Sequence, residues 1–382
     1  MKGILINMEN VQIYRQREFE QREQKLITAK KQQLHYIHRD KEELNITYVM
    51  TWTGICGGSK IILEHANKLS NRGHKITLIS HDLKPKWFAI EGNVQFIQVP
   101  WNEILCEHIP KDTDVIVATY WREIYECVEQ KIAPVVYFEQ GDFHLFDLEK
   151  LDKRTYDYIY KQLKTINFIY TVSSFAQKKL KEIYEVDSLV IPNAVDNKVF
   201  YYKQHEENEI ENITIIGSEE AEFKKIQNIL DALNIIKQKG YKFKLNWITP
   251  TIPKRNKELS PIVNPPQIVI GDTLRKTDIY ICASMYESFC LPVLEAMTCG
   301  AAIITTNNGG NMDFIKANVN ALIIEKDNIY DIVEKIEKIM NSKELKKSLV
   351  KNGVEESAQF SWNITINKIE EYYREIANYV IE

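Results

Sequence analysis

Asp278-Ile-Tyr-Ile-Cys-Ala-Ser284 leads, through Met285-Tyr286, into Glu287-Ser-Phe-Cys-Leu-Pro-Val-Leu-Glu295. The first run has the apolar, aromatic composition of a buried strand, so Glu287 falls at its carboxyl end, where open α/β sheets bind ligands. Pro292 suits the first turn of a helix, because the N–H it lacks is not needed there. Helix starts leave N–H groups unpaired and carry partial positive charge, which suits the backbone around Ser288, Phe289, Cys290 and Leu291 to oxygen anions. Glu295 follows one turn inside, with a carboxylate able to accept two hydroxyl hydrogen bonds, as from a ribose diol. Dipole compensation, worth about 0.3–1 kcal/mol, explains one acid at a helix start. It does not explain two acids flanking an apolar turn.

The strand–helix alternation continues in both directions. One set runs from Ile46: ITYVM, GGSKIILEHANKLSNRGH, KITLIS, NVQFIQV, DVIVATY, PVVYF, NFIYTV and SLVIP. The other comprises ITIIG, a helical stretch from about Phe223 to Lys239, KFKLNWI, DIYICAS, the helix from Leu291, AAIIT and NALII. Short buried strands alternating with helices indicate parallel sheets covered on both faces. The predicted fold is therefore α/β, with two doubly wound Rossmann-like domains facing each other across a cleft. Its expected parts are a charged helical extension (1–45), a first domain (46–195), a linker (196–210), a second domain (211–360) and a final amphipathic helix (361–382). The linker is where IPNAVDNKVFYYKQHEENEIEN breaks the rhythm with Pro, Asn and a charge run.

A chain of 382 residues is long for one core and short for three, in agreement with two domains. Its net charge of −4 argues against bulk nucleic-acid binding. The six cysteines are scattered with no CxxC pair, which points to reduced thiols rather than a disulfide frame or a zinc site. The sequence shows neither a signal-peptide run nor a membrane-spanning one, so a cytoplasmic protein is expected. Between Val11 and Glu43, Phe19, Leu26, Ile27, Leu34 and Ile37 form a loose helical stripe among mixed charges. A helix docked on the first domain is the plainer reading. A peripheral contact with a partner protein or the inner face of the membrane is the other.

Four further stretches carry chemistry or its appearance. Gly54-Ile-Cys-Gly57-Gly58-Ser59 joins a strand to a helix, as a tight turn or as a loop that lets backbone N–H groups approach a phosphate or sugar. Asp82 ends the next strand, where an acid would grip a ribose, but the full G-x-G-x-x-G spacing of a dinucleotide site is missing. Asp112-Thr-Asp114 precedes its strand rather than following it, and reads as a solvated strand start, not a metal site. Glu139-Gln140-Gly141-Asp142 ends the strand PVVYF at the ligand edge of the first sheet, where such polar loops line the crevice. Lys224-Lys225 opens the first helix of the second domain. Either the pair neutralises a diphosphate, or it is solvated among Glu219, Glu220 and Glu222.

Together these residues resemble a known family. ESFCLPVLEAMTCGAAIITTNNGGNMDFI is similar to the signature of retaining GT-B glycosyltransferases, family 4, in which two glutamates precede a Gly-Gly loop. GICGGSK with LSNRGHKITLIS resembles that family's glycine loop, helix and second strand. TVSSFAQKKLKEIYEVDSLVIPNAVD resembles the end of its first domain, and VNPPQ with LRKTDIYICAS a rhamnosyltransferase-like branch. The resemblance implies a last helix that crosses back to the first domain and a nucleotide diphosphate-sugar donor with no metal or other cofactor. It implies a carbohydrate or glycolipid acceptor, as in cell-surface polysaccharide synthesis. Glu287 would contact the donor sugar, Ser288 to Leu291 the sugar and diphosphate, Glu295 the ribose, and Gly57 and Gly58 the diphosphate. Three positions depart from the pattern. Ser218 stands where Arg is usual, with the nearest lysines displaced; Gln140 stands where many members have His; and Cys290 replaces a glycine, which requires its φ to be negative. These departures keep open a non-catalytic GT-B-like partner subunit, while the glycine turn with Asp82 keeps open an NAD-dependent oxidoreductase.

Overall fold

The computed structural model describes residues 8–203 and 210–382. Positions 204–209 of the expected linker and 1–7 of the extension lie outside the described residues. The chain divides into two compact units. The first comprises residues up to Val172 with Ala176–Ile191 and Ile366–Glu382, and the second comprises Ser173–Phe175 and Pro192–Thr365.

In the first unit a short strand β1 (Leu34–Tyr36) precedes β2 (Asn45–Val49), β3 (Lys75–Ser80), β4 (Val94–Gln98), β5 (Val115–Ala118), β6 (Val135–Glu139), β7 (Phe168–Thr171) and β8 (Leu189–Val190). Strands β2 to β8 form one parallel sheet in the order β4-β3-β2-β5-β6-β7-β8. Every residue of β5 and β6 is buried, as helix-covered parallel strands must be. The chain starts in the middle at β2, moves out to β4 and returns at β5. The topological switch point therefore lies between β2 and β5, and the loops after these strands line it.

The second unit repeats the plan with β9 (Asn212–Ile216), β10 (Lys244–Thr249), β11 (Ile262–Val263), β12 (Ile279–Cys282), β13 (Ala302–Thr306) and β14 (Ala321–Ile324). These form a parallel sheet in the order β11-β10-β9-β12-β13-β14, so its switch point lies between β9 and β12. Ile213, Ile215, Trp247, Ile281, Ile304 and Ile336 are part of its core.

The end of the chain belongs to the first unit, for reasons its side chains supply. On the helix Trp362–Ala377, the buried Tyr373 hydroxyl lies 2.7 Å from that of Tyr170 and 3.2 Å from that of Tyr48. Glu370 on the same helix binds Arg72 at 2.7 Å, and the last strand, β15 (Tyr379–Ile381), pairs antiparallel with β1.

Candidate active site

In the second unit the switch point brings together residues far apart in sequence. The loop after β9 carries Lys224 in a tight turn over Glu222–Lys224, and the loop after β12 carries Glu287. Lys224 Nζ donates to Glu287 Oε1 at 2.5 Å, and Ser284 Oγ donates to the same oxygen at 2.9 Å. The two loops are also joined through backbone and rings. Met285 N–H donates to the Phe223 carbonyl at 2.7 Å, and Phe223 stacks on Tyr286 at 5.0 Å. Burial disfavours the Lys224 ammonium, but the Glu287 carboxylate outweighs it and holds the group well above the ordinary lysine range. Lys224, displaced in the sequence, is thus brought beside Glu287 in space. Lys225 goes elsewhere, adopting a left-handed backbone (φ 50°) and pairing with Asp327 at 2.7 Å.

Glu287 is held by its backbone as well. Its N–H donates to the Asn308 carbonyl at 2.9 Å, and its carbonyl accepts from Gly310 N–H at 3.0 Å. A Cβ at Gly310 would lie 2.2 Å from the Ser288 carbonyl oxygen, so only glycine permits this approach. The loop is anchored from below by the buried Asn311, whose amide donates to Thr305 Oγ1 at 3.1 Å and the Thr306 carbonyl at 2.9 Å. Phe289 is buried with Phe314 and Phe360, fixing the turn that precedes the helix Leu291–Thr298. Among the described residues, no protein acceptor takes the N–H groups of Phe289, Cys290 or Leu291. Ser288 is half-buried beside them, and Glu295 is buried on the helix itself.

The structure overturns one expectation here. Cys290 has φ 68° and ψ 55°, left-handed rather than negative, so it adopts the glycine conformation without being glycine. A left-handed L-residue costs roughly 1–2 kcal/mol. Its buried sulfur, 3.7 Å from that of Cys282, supplies packing in return.

In the first unit the glycine loop and the end of β6 meet. Cys56 caps the helix Gly57–Ser70, with its sulfur accepting from Ser59 N–H at 3.3 Å. Gln140 Nε2 donates to the Gly58 carbonyl at 3.2 Å. A Cβ at Gly57 would meet nothing within 4 Å, so packing inside the protein does not require glycine at this helix start. Glu139 is buried and saturated. Its carboxylate accepts from Gly141 N–H at 2.7 Å and the Tyr137 hydroxyl at 2.8 Å, and lies 3.1 Å from Nε2 of the buried His144. Burial works to raise its pKa, but His144 and these donors hold it below the ordinary range. Asp142 is likewise engaged, capping Phe143 N–H at 2.8 Å and accepting from the Tyr120 hydroxyl at 2.8 Å. The geometry makes Glu139 a positioning residue for the Gln140–Asp142 turn rather than a group free to touch an acceptor. Tyr137 shares a strand face with Glu139, which a period of two makes legible. His144 lies beyond a turn whose course no local pattern announces.

The switch point of this first sheet is differently filled. Glu123, after β5, accepts from Thr51 Oγ1 at 2.7 Å and lies 3.5 Å from Arg22, on the helix Met8–Lys25. Arg22 also binds Glu126 at 2.9 Å, and all three side chains are buried. Asp112 and Asp114 are structural: Asp114 accepts from Asn45 N–H at 2.7 Å and Lys41 at 2.6 Å, and Asp112 holds the Asn45 amide. Asp82 accepts from Thr53 N–H at 3.2 Å. Among the described residues, no group of three or more His, Cys, Asp or Glu could hold a metal ion.

Two solved structures of 14–15% identity share the architecture. Sucrose-phosphate synthase from Thermosynechococcus elongatus has a TM-score of 0.73, covering 88% of this chain and 99% of that one. Anabaena HepE in complex with UDP and glucose has a TM-score of 0.67, covering 86% and 99%. The fold is GT-B-like. Residues 266–356, which include both glutamates and the Gly-Gly loop, match the family described as glycosyl transferases group 1. An uncharacterized glycosyltransferase of Methanocaldococcus jannaschii is 27% identical over 218 residues, 55% of this chain and 60% of that protein. The N,N'-diacetylbacillosaminyl-diphospho-undecaprenol alpha-1,3-N-acetylgalactosaminyltransferase of Campylobacter jejuni is 30% identical over 104 residues, 27% of this chain and 28% of its own length. The chain thus spans less than two thirds of these relatives.

Proposed function

We propose that this chain is a retaining family 4 glycosyltransferase that moves a sugar from a nucleotide diphosphate donor to a carbohydrate or lipid-linked acceptor. One observation carries the reading: the Lys224–Glu287 pair at 2.5 Å, set at the switch point of the second sheet beside a helix start. A bound donor would exchange that ion pair for two charge-assisted contacts, Lys224 on a phosphoryl oxygen and Glu287 on sugar hydroxyls. As the glycosidic bond to the diphosphate breaks, negative charge gathers on the departing oxygen. Lys224 and the N–H groups of Phe289, Cys290 and Leu291 are the donors that would meet such charge, and one donor of this kind contributes about 3–4 kcal/mol to a barrier. Attack by the acceptor hydroxyl on the face the diphosphate leaves retains the anomeric configuration without a covalent nucleophile. Glu295 accepts from the ribose hydroxyls. The resemblance carried by VNPPQ, with Gln140 in place of His, supports a 6-deoxyhexose such as rhamnose as the sugar.

Calorimetric titration with UDP-, GDP- and dTDP-sugars tests the proposal, followed by NMR of the product's anomeric proton. One donor class is expected to bind and to turn over with retention. Failure of all three to bind would favour a non-catalytic partner subunit instead.

A further inference from the structure

Two pairs of buried cysteines bring their sulfurs close: Cys106 and Cys127 at 3.5 Å in the first unit, and Cys282 and Cys290 at 3.7 Å in the second. Their surroundings differ. Cys106 and Cys127 lie in the core that holds Leu105, Ile109 and Ile124, and both are fully buried. Among the described residues, neither of these sulfurs has a hydrogen-bond partner beyond the other. Burial pushes the Cys106 thiol well above the ordinary range, as for an inert structural cysteine.

Cys282 ends β12 at the carboxyl edge of the second sheet and keeps 8% exposure. Polar groups gather about its sulfur. Besides the Cys290 thiol, Ser284 Oγ lies at 3.3 Å and Asn308 Nδ2 donates at 4.0 Å, within the longer reach of a sulfur acceptor. Ser284 has a single proton, and Lys224 already serves the Glu287 oxygen that takes it, so that proton can turn to the sulfur. The Cys290 S–H leads in holding the Cys282 thiol below the ordinary range against burial, while Glu287 and Lys224 act on it in opposite senses. A thiolate is the form that attacks a peroxide, and a second thiol beside it turns the first oxidation product into a disulfide. The left-handed backbone of Cys290 suits glycine, and a sulfur that reacts is a reason for a side chain to stand there.

We propose that Cys282 and Cys290 form an oxidisable dithiol, which a hydroperoxide converts to a disulfide inside the turn that precedes the helix Leu291–Thr298. With hydrogen peroxide, the Cys282 thiolate attacks one oxygen and breaks the O–O bond, giving a sulfenic acid and a hydroxide that leaves as water. The Cys290 thiol then attacks the sulfenic sulfur. An S–S bond forms, the S–O bond breaks and a second water leaves, so both sulfurs are oxidised and the peroxide is reduced. The sulfurs must close from 3.7 Å to about 2.05 Å, which draws Cys290 and the neighbouring N–H groups of Phe289 and Leu291 from their places. Weaker nucleotide-sugar binding after oxidation follows, a consequence that rests on the proposed function.

The full chain, reduced and then treated with hydrogen peroxide, is alkylated in urea and digested for mass spectrometry. A disulfide joining the peptides of Cys282 and Cys290 is expected, reversed by dithiothreitol, with Cys106 and Cys127 alkylated. Cys290→Gly, checked for folding by thermal melting, should lose the link and leave a sulfenic acid on Cys282 that dimedone traps. Calorimetry with the nucleotide-sugar that binds the reduced chain should show affinity falling about tenfold or more on oxidation and returning on reduction. The proposal is overturned if no such link forms, if Cys106 and Cys127 link as readily, if the folded Cys290→Gly chain yields no dimedone adduct at Cys282, or if the oxidised chain binds the donor as well as the reduced one. A Cys282–Cys290 disulfide in a chain that binds no nucleotide-sugar even when reduced would leave the dithiol standing and remove the glycosyltransferase reading.

Discussion

The two sheets have the same winding, yet their switch points are used in opposite ways. Between β9 and β12 the acid and cation, Glu287 and Lys224, keep side chains 14% and 20% exposed, within reach of a ligand. Between β2 and β5 the acid is Glu123, and its cation Arg22 arrives from the N-terminal helix; their side chains are only 3% and 7% exposed. On the proposed reading, an incoming anion and hydroxyl compete for the first pair. The second is sealed, so its charges hold the extension in place. An ion pair at a ligand edge is therefore not in itself a site; access decides.

The largest expected effect breaks or keeps that contrast directly. Lys224→Ala and Glu287→Ala should each lower turnover by about 100- to 1,000-fold while leaving urea stability nearly unchanged. If turnover falls less than about threefold, the pair is structural and the contrast fails. Arg22→Ala should do the converse. It strands buried Glu123 and Glu126 and should cost about 3–5 kcal/mol in urea unfolding, with turnover per folded molecule largely retained.

Cys290 sharpens the comparison at a smaller scale. Cys290→Val puts a β-branched residue at φ 68° and should lose roughly 2–3 kcal/mol, whereas Cys290→Gly should stay within about 1 kcal/mol as relieved strain offsets lost packing. Equal stabilities for the two would show that the backbone there is not left-handed. The smallest effect concerns Glu139. Its folded pKa lies below the unfolded value of about 4.3, so its stabilisation is fully present above that pH and is lost as pH falls through the folded value. Glu139→Gln should therefore flatten the acid limb of a stability–pH curve. A limb as steep as the parent's would assign acid sensitivity to other carboxylates.

How far these features were legible depends on how local their causes are. The strand DIYICAS, the helix opened by Pro292 and the alternation on either side follow from residue type and period alone. Glu287 was legible because it ends a buried run. Its partner was not, because Lys224 lies 63 positions away and its place beside Glu287 depends on how β9 and β12 pair. Cys290 shows the opposite error. The preference of a β-carbon for negative φ is a local rule, and the surrounding contacts of Phe289 and Gly310 overrule it.

Residue type and period were enough for two doubly wound α/β units, the carboxyl edges of their sheets and the acids of the helix start, since each rests on periodicity or on neighbours within a few residues. Tertiary structure alone decided which cation meets Glu287, that Glu139 is spent on His144, and that Arg22 fills the first switch point. Each of these is a pairing set by chain segments distant in sequence, and hydrogen bonds of 3 Å are specified only when the sheets that carry them have formed.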